Sequence, residues 1–74
     1  MSLKYTYNGK LVCTSADRIY THAVGVITED GEFHLCNRCG SLFLAEKALG
    51  AHPAQRMAKK YGVPATIVEL QVKA

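Results

Sequence analysis

Two tight-turn dipeptides constrain the fold of this chain more than any other feature of its sequence. Asn8-Gly9 and Asp30-Gly31 each lie between short segments rich in aromatic, β-branched and other apolar residues. Asn-Gly and Asp-Gly pairs readily adopt the positive φ angles of two-residue hairpin turns. The first turn therefore predicts a β-hairpin near the N-terminus, with Tyr5 and Tyr7 on one face of it.

The second turn predicts a longer hairpin whose first strand covers residues 18–29. The returning strand begins at residue 32, and the segment 32–36 has strand character. A tight two-residue turn fixes the cross-strand register, although a bulge would shift it. The predicted pairs are Thr28 with Phe33, Val26 with Leu35 and His22 with Cys39.

A helical region follows, interrupted near Gly50 and Pro53. Ser41 is a suitable N-cap for a helix over residues 42–49, and proline is well tolerated in the first turn of a second helix. Apolar side chains then recur with a helical period, and Gly62 is placed to end that helix. The periodic residues are Ala54, Met57, Ala58 and Tyr61.

A last strand is predicted over residues 66–72, with Val68, Leu70 and Val72 on one face. The predicted fold is therefore α+β: a small antiparallel sheet made of two hairpins and a C-terminal strand, with one broken helix or two short helices on one face. A chain of 74 residues has room for a single core, so residues 1–74 are predicted to form one domain.

The location of the protein is suggested by segments that the sequence lacks. Its apolar runs are a few residues long, far short of the roughly 20 needed to span a bilayer. The first residues contain no apolar signal-peptide region. We therefore expect a cytoplasmic protein without a membrane partner.

The segment best suited to metal binding or redox chemistry is Cys36-Asn37-Arg38-Cys39-Gly40. Two cysteines at this spacing can present both sulfurs to one zinc ion. Cys13 is the candidate third ligand, and His22 or His34 is the candidate fourth. A structural zinc would stabilise so small a chain. The alternatives are reduced thiols that serve as small apolar side chains, with no cofactor, and a redox-active Cys-x-x-Cys pair.

Cationic and aromatic residues form the candidate partner-binding set. The net charge is +3, and three of the cations recur at i, i+3 and i+4 on the second helix. They either contact phosphate or complement the helix macrodipole, and the tyrosines either stack on bases or pack within the protein. The set comprises Tyr5, Tyr7, Tyr20, Arg38, Arg56, Lys59 and Lys60.

Two stretches carry a resemblance to known proteins. These are residues 15–24, Ser-Ala-Asp-Arg-Ile-Tyr-Thr-His-Ala-Val, and residues 45–49, Ala-Glu-Lys-Ala-Leu, which precede a Lys-Lys-Tyr-Gly ending. They resemble a group of small phage-encoded proteins, mostly without assigned function, that have an Arg-x-Tyr-Thr-His-Ala-Val strand and a Leu-Ala-x-Lys-Ala helix. The resemblance implies an accessory protein that acts on host machinery in the cytoplasm of a bacterial or infected host cell. The Cys-x-x-Cys pair is not part of that pattern.

The sequence favours binding over catalysis, because its histidines, cysteines and carboxylates form no recognisable catalytic pattern. The leading hypothesis is a non-enzymatic phage or mobile-element accessory protein that modulates or inhibits a host protein complex in defence or transcription. The first alternative is a zinc-stabilised nucleic-acid-binding module, and the second is a redox protein. A homodimer through an edge strand at residues 4–7 or 66–72 is compatible with all three.

Overall fold

A computed structural model describes residues 2–73 and shows an α+β fold, as the sequence predicts. The elements in chain order are β1 (Leu3–Tyr7), β2 (Lys10–Ser15), β3 (His22–Ile27), β4 (Phe33–Cys39), α1 (Leu42–Leu49), α2 (His52–Tyr61), β5 (Ala65–Glu69) and β6 (Gln71–Lys73). Neither helix in this part of the chain is long and apolar enough to cross a membrane.

The strands form two antiparallel sheets, whereas the sequence pattern predicts one. Sheet A has the order β2-β1-β6, and sheet B has the order β4-β3-β5. The last strand divides at Leu70, whose N–H still donates to Thr21 beside sheet B. Beyond Leu70, Gln71 pairs with Thr6 of β1. A single C-terminal stretch therefore completes both sheets, and strand β1 is central rather than the edge that the dimer hypothesis requires.

The core has two parts, one on each face of sheet B. Between the sheets, Tyr5 packs with Ala23, Val68 and Leu70. On the other face, Val24 and Cys39 pack with one alanine of each helix, Ala45 and Ala54. The alternation of neighbouring residues in β3 thus sends one side chain toward sheet A and the next toward the helices.

Both hairpin turns form, but with different lengths. Asn8 and Gly9 both have positive φ, at 52° and 78°, as a type I′ turn requires. The second loop has three residues, Glu29 to Gly31, because Thr28 pairs with Glu32 and Gly31 takes the left-handed conformation. The predicted Thr28–Phe33 pair is therefore wrong by one residue.

A β-bulge at Cys36 then corrects this offset. Near the loop, Gly25 rather than Val26 lies opposite Leu35, but beyond the bulge His22 lies opposite Cys39 as predicted. The first strand of this hairpin is also shorter than the predicted span of residues 18–29. Residues 16–21 instead form the connection that leads from sheet A to sheet B.

The helix boundaries agree with the sequence signals. The Ser41 hydroxyl accepts from the Leu44 N–H and begins α1, and Gly50 ends it. Proline lies in the first turn of α2, and Gly62 terminates that helix with φ of 71°. These signals are local side-chain and backbone chemistry, so the tertiary fold does not override them.

The buried side chain of Tyr5 joins the two sheets. Its hydroxyl donates to the Arg18 carbonyl at 3.0 Å and accepts from the Tyr20 N–H at 3.2 Å. Its ring meets that of Tyr20 edge-on, with centroids 5.6 Å apart. One fully buried residue of sheet A thereby holds the connection that leads into sheet B.

We expect Tyr5→Phe to lower the free energy of unfolding by about 1–3 kcal/mol, because two part-buried backbone groups, the Arg18 carbonyl and the Tyr20 N–H, lose their hydrogen-bond partner. Urea denaturation of both proteins measures the difference. Tyr7→Phe is the matched control, since the Tyr7 hydroxyl makes no hydrogen bond within residues 2–73 and its ring still packs on Phe33. An equal effect of the two substitutions would contradict the role given to the Tyr5 hydroxyl.

We also expect Gly25→Ala to lower the free energy of unfolding by about 3 kcal/mol or more, because overpacking against backbone has little room to relax. A methyl group at Gly25 would overlap the carbonyl oxygen of His34 and lie 2.8 Å from the Phe33 ring. Gly40→Ala is the control, since its methyl group would meet only the Ile19 carbonyl, at 3.5 Å. Thermal unfolding monitored by circular dichroism compares the variants, and similar stability for both would refute this account.

Candidate binding surfaces on the helix layer

The two cysteines of the Cys-x-x-Cys segment both face the helices. Residues three apart in a regular strand point to opposite faces, but the bulge at Cys36 returns Cys39 to the same side. Cys39 is only 4% exposed, and Cys36 is half-buried against the same core cluster. The pair is therefore part of the packing between sheet B and the helices.

The other two predicted zinc ligands lie elsewhere. Cys13 packs against the cluster between the sheets, on the opposite side of sheet B. His22 lies opposite Cys39 in register, with its Nδ1 2.7 Å from the Thr21 hydroxyl. Within residues 2–73, no three histidine, cysteine or carboxylate side chains form a group that could hold a metal ion. The four proposed ligands are therefore not brought together.

The Cys39 thiol differs from that of a reactive cysteine in both its pKa and its solvent access. Burial raises its pKa, and the nearby Cys36 raises it further. A nucleophilic or redox-active cysteine instead needs a lowered pKa and access to solvent. This arrangement favours the interpretation of Cys39 as a small apolar side chain.

The predicted partner-binding residues lie on two opposite sides of sheet B. Tyr5 is fully buried, and Tyr7 and Tyr20 pack around it, so these rings serve the core between the sheets. Arg38 lies on the same side, with its guanidinium 5.0 Å from the centre of the Tyr20 ring. The basic residues of α2 lie on the opposite side of sheet B, so Arg38 does not extend their row.

Two of the three predicted cations of α2 border an open groove along that helix, and Lys59 is not among its lining residues. Its lining residues are Pro53, Arg56, Met57, Lys60 and Tyr61, and its volume is about 410 Å³. We call it the basic groove. The helical period predicted these cations and also placed Met57 and Tyr61 on an apolar stripe of the same helix. The structure brings the two sets together as the two sides of one groove.

Helix α1 presents a second surface that the sequence analysis did not identify. Three large apolar side chains at its start are exposed: Phe43 to 66%, and Leu42 and Leu44 to about half of their area. We call these three residues the α1 apolar turn. Phe43 lies two positions before the buried Ala45, and hence about 200° around the helix from the core. A sequence signal for this arrangement exists. The inner face of α1 carries residues at helical spacing, Ala45, Ala48 and Leu49, and Phe43 does not belong to that set.

Comparison with protein-family models, with curated proteins and with solved structures returned no match to this chain. The side chains exposed on the surface of the fold are therefore the basis for inferring its function. Two surfaces on the helix layer qualify: the α1 apolar turn and the basic groove.

We expect the Cys39 thiol to react with Ellman's reagent at least tenfold more slowly than the Cys13 thiol, because burial and a raised pKa both reduce available thiolate. Labelling at neutral pH followed by peptide mapping gives the rate at each cysteine, and labelling in urea provides the unfolded reference. Preferential labelling of Cys39 in the folded protein would refute this assignment and favour the redox hypothesis.

Proposed function

We propose that this protein is a non-enzymatic binding protein that docks onto a host protein complex through the α1 apolar turn. The observation that carries the proposal is the exposure of Leu42, Phe43 and Leu44 in succession on a short helix. Contiguous exposed apolar residues on a small protein mark interaction sites, because leaving them in water is unfavourable.

The core does not require the Phe43 side chain. The residue of α1 that is fully buried is an alanine, Ala45, and the half-buried Ala48 and Leu49 complete the inner face. A polar residue at position 43 would satisfy the fold equally well. A phenylalanine there is therefore better explained by a partner than by packing.

Phe43 has the features of an interface anchor. Its ring lies outward, with the Lys47 ammonium group 5.3 Å from the ring centre. Large aromatic side chains that enter a pocket of the partner contribute much of the free energy of binding. The neighbouring cation and the basic residues of α2 favour a partner whose pocket has acidic residues at its rim.

The choice of a host complex is supported by the resemblance of residues 15–24 and 45–49 to small phage-encoded proteins. In this proposal the protein modulates or inhibits the complex by occupying one of its surfaces. We propose a non-enzymatic role because the reactive residue types of the sequence form no recognisable catalytic pattern. Machinery of defence or of transcription is the proposed target.

We expect Phe43→Ser to reduce recovery of the partner at least tenfold, since removal of a buried aromatic anchor costs binding free energy of this order. The measurement is affinity capture of tagged protein from host lysate with quantitative mass spectrometry. Leu11→Ser is the matched control, because Leu11 is similarly exposed, at 61%, but lies on β2 of sheet A.

Both substitutions should leave the free energy of unfolding within about 0.5 kcal/mol of the original value, as is usual for exposed positions. A partner that is retained by the Phe43 variant and lost by the Leu11 variant would place the interface on sheet A. Equal recovery with all three proteins would refute the role of the α1 apolar turn.

A further inference from the structure

The basic groove has a regular construction that the proposed function does not use. Pro53, Met57 and Tyr61 recur every four residues and form its apolar row. Arg56 and Lys60 recur at the same interval and form a cationic row beside it. Residues four apart are neighbours on a helix surface, so each row follows α2: the apolar row extends for about 12 Å, and the cationic row lies beside it for about 6 Å.

An aromatic stack lies at the C-terminal end of the groove. The Tyr61 ring stacks on the His34 ring of β4, with centroids 4.6 Å apart and an angle of 22° between the planes. The Lys60 ammonium group lies over Tyr61, 5.7 Å from its centre. The histidine thus supports the tyrosine from sheet B, while a flexible lysine covers it.

The cations of the groove are not neutralised by carboxylates. The salt bridge that the described residues form joins Lys10 to Glu32, at the tips of the hairpins, and α2 contains no acidic residue. The helix macrodipole accounts for Lys59 and Lys60 in the last turn, but its effect is confined to that turn. Arg56 lies one turn earlier and needs another explanation.

Acidic residues limit the groove at one end. Glu29 and Asp30 lie beside Tyr61 and Gly62 in a neighbouring depression. A hydrogen bond from Thr28 lowers the pKa of Asp30, so this carboxylate stays ionised at neutral pH. A polyanion is therefore repelled beyond Tyr61 and attracted along the row that leads through Lys60 to Arg56.

We infer that the basic groove binds single-stranded nucleic acid. A base stacks on Tyr61 in place of the Lys60 side chain, and the released ammonium group and Arg56 contact successive phosphates. Stacking on aromatic rings combined with a cationic track is the usual arrangement in sequence-tolerant single-strand binding. An acidic peptide would use the cations equally well but would gain nothing from the supported tyrosine ring. This site is separate from the α1 apolar turn.

The test measures fluorescence anisotropy of a labelled oligothymidylate with the full chain between about 50 and 200 mM salt. Two phosphate contacts on a single strand predict a slope of log Kobs against log salt of about −1.4. We expect Arg56→Gln with Lys60→Gln to weaken binding about tenfold or more and to bring the slope near zero. Lys4→Gln with Lys73→Gln, on sheet A, is the charge-matched control and should leave both quantities unchanged.

The ring is tested by Tyr61→Phe, which should bind as the original protein does, and by Tyr61→Leu, which should bind about tenfold more weakly because stacking is lost. Circular dichroism confirms that each variant is folded. Equal binding by the phenylalanine and leucine variants, or displacement of the oligonucleotide by an equal concentration of polyglutamate, would overturn the inference in favour of an acidic peptide site. Absence of oligonucleotide binding at the lowest salt, or equal loss in the sheet A control, would overturn it altogether.

Discussion

The Tyr5 side chain is the link on which the two-sheet arrangement depends. Sheet A and sheet B share no strand in full, and the segment that leads from one to the other has no regular structure. The Tyr5 hydroxyl binds that segment at Arg18 and Tyr20, while its ring fills the space between the sheets. Tyr5 thereby holds the start of β3 against sheet A, and β3 in turn supports the helix layer.

The parts of the fold that could be predicted from sequence are those specified by local chemistry. Asn8-Gly9, the Ser41 cap and Gly62 act through their own backbone angles and hydrogen bonds, and the structure confirms all three. The parts that could not be predicted depend on contacts between distant residues. The bulge at Cys36 and the change of sheet at Leu70 have no local signal, because each is set by the strand that lies alongside.

The candidate surfaces likewise combine features that local sequence predicts with features that depend on distant residues. Spacing alone placed Arg56, Lys59 and Lys60 on one helix edge, but it could not reveal that His34 of a different element supports the adjacent Tyr61 ring. The cysteine pair had a recognisable spacing, yet the bulge and the helices turn it toward the core. For Phe43 the helical period held the information. Phe43 lies about 200° around α1 from the buried Ala45 and is 66% exposed.

The division of the last strand at Leu70 has a consequence for how the chain reaches this fold. Sheet A pairs Lys4 with Lys73, so it closes only after nearly the whole described sequence is available. Pairings between such distant positions raise the contact order and slow folding, because a long loop must close before they form. During synthesis one edge of the β1–β2 hairpin therefore stays unpaired until the C-terminal stretch is available. Pairing of that stretch with β3 and β1 then completes both sheets.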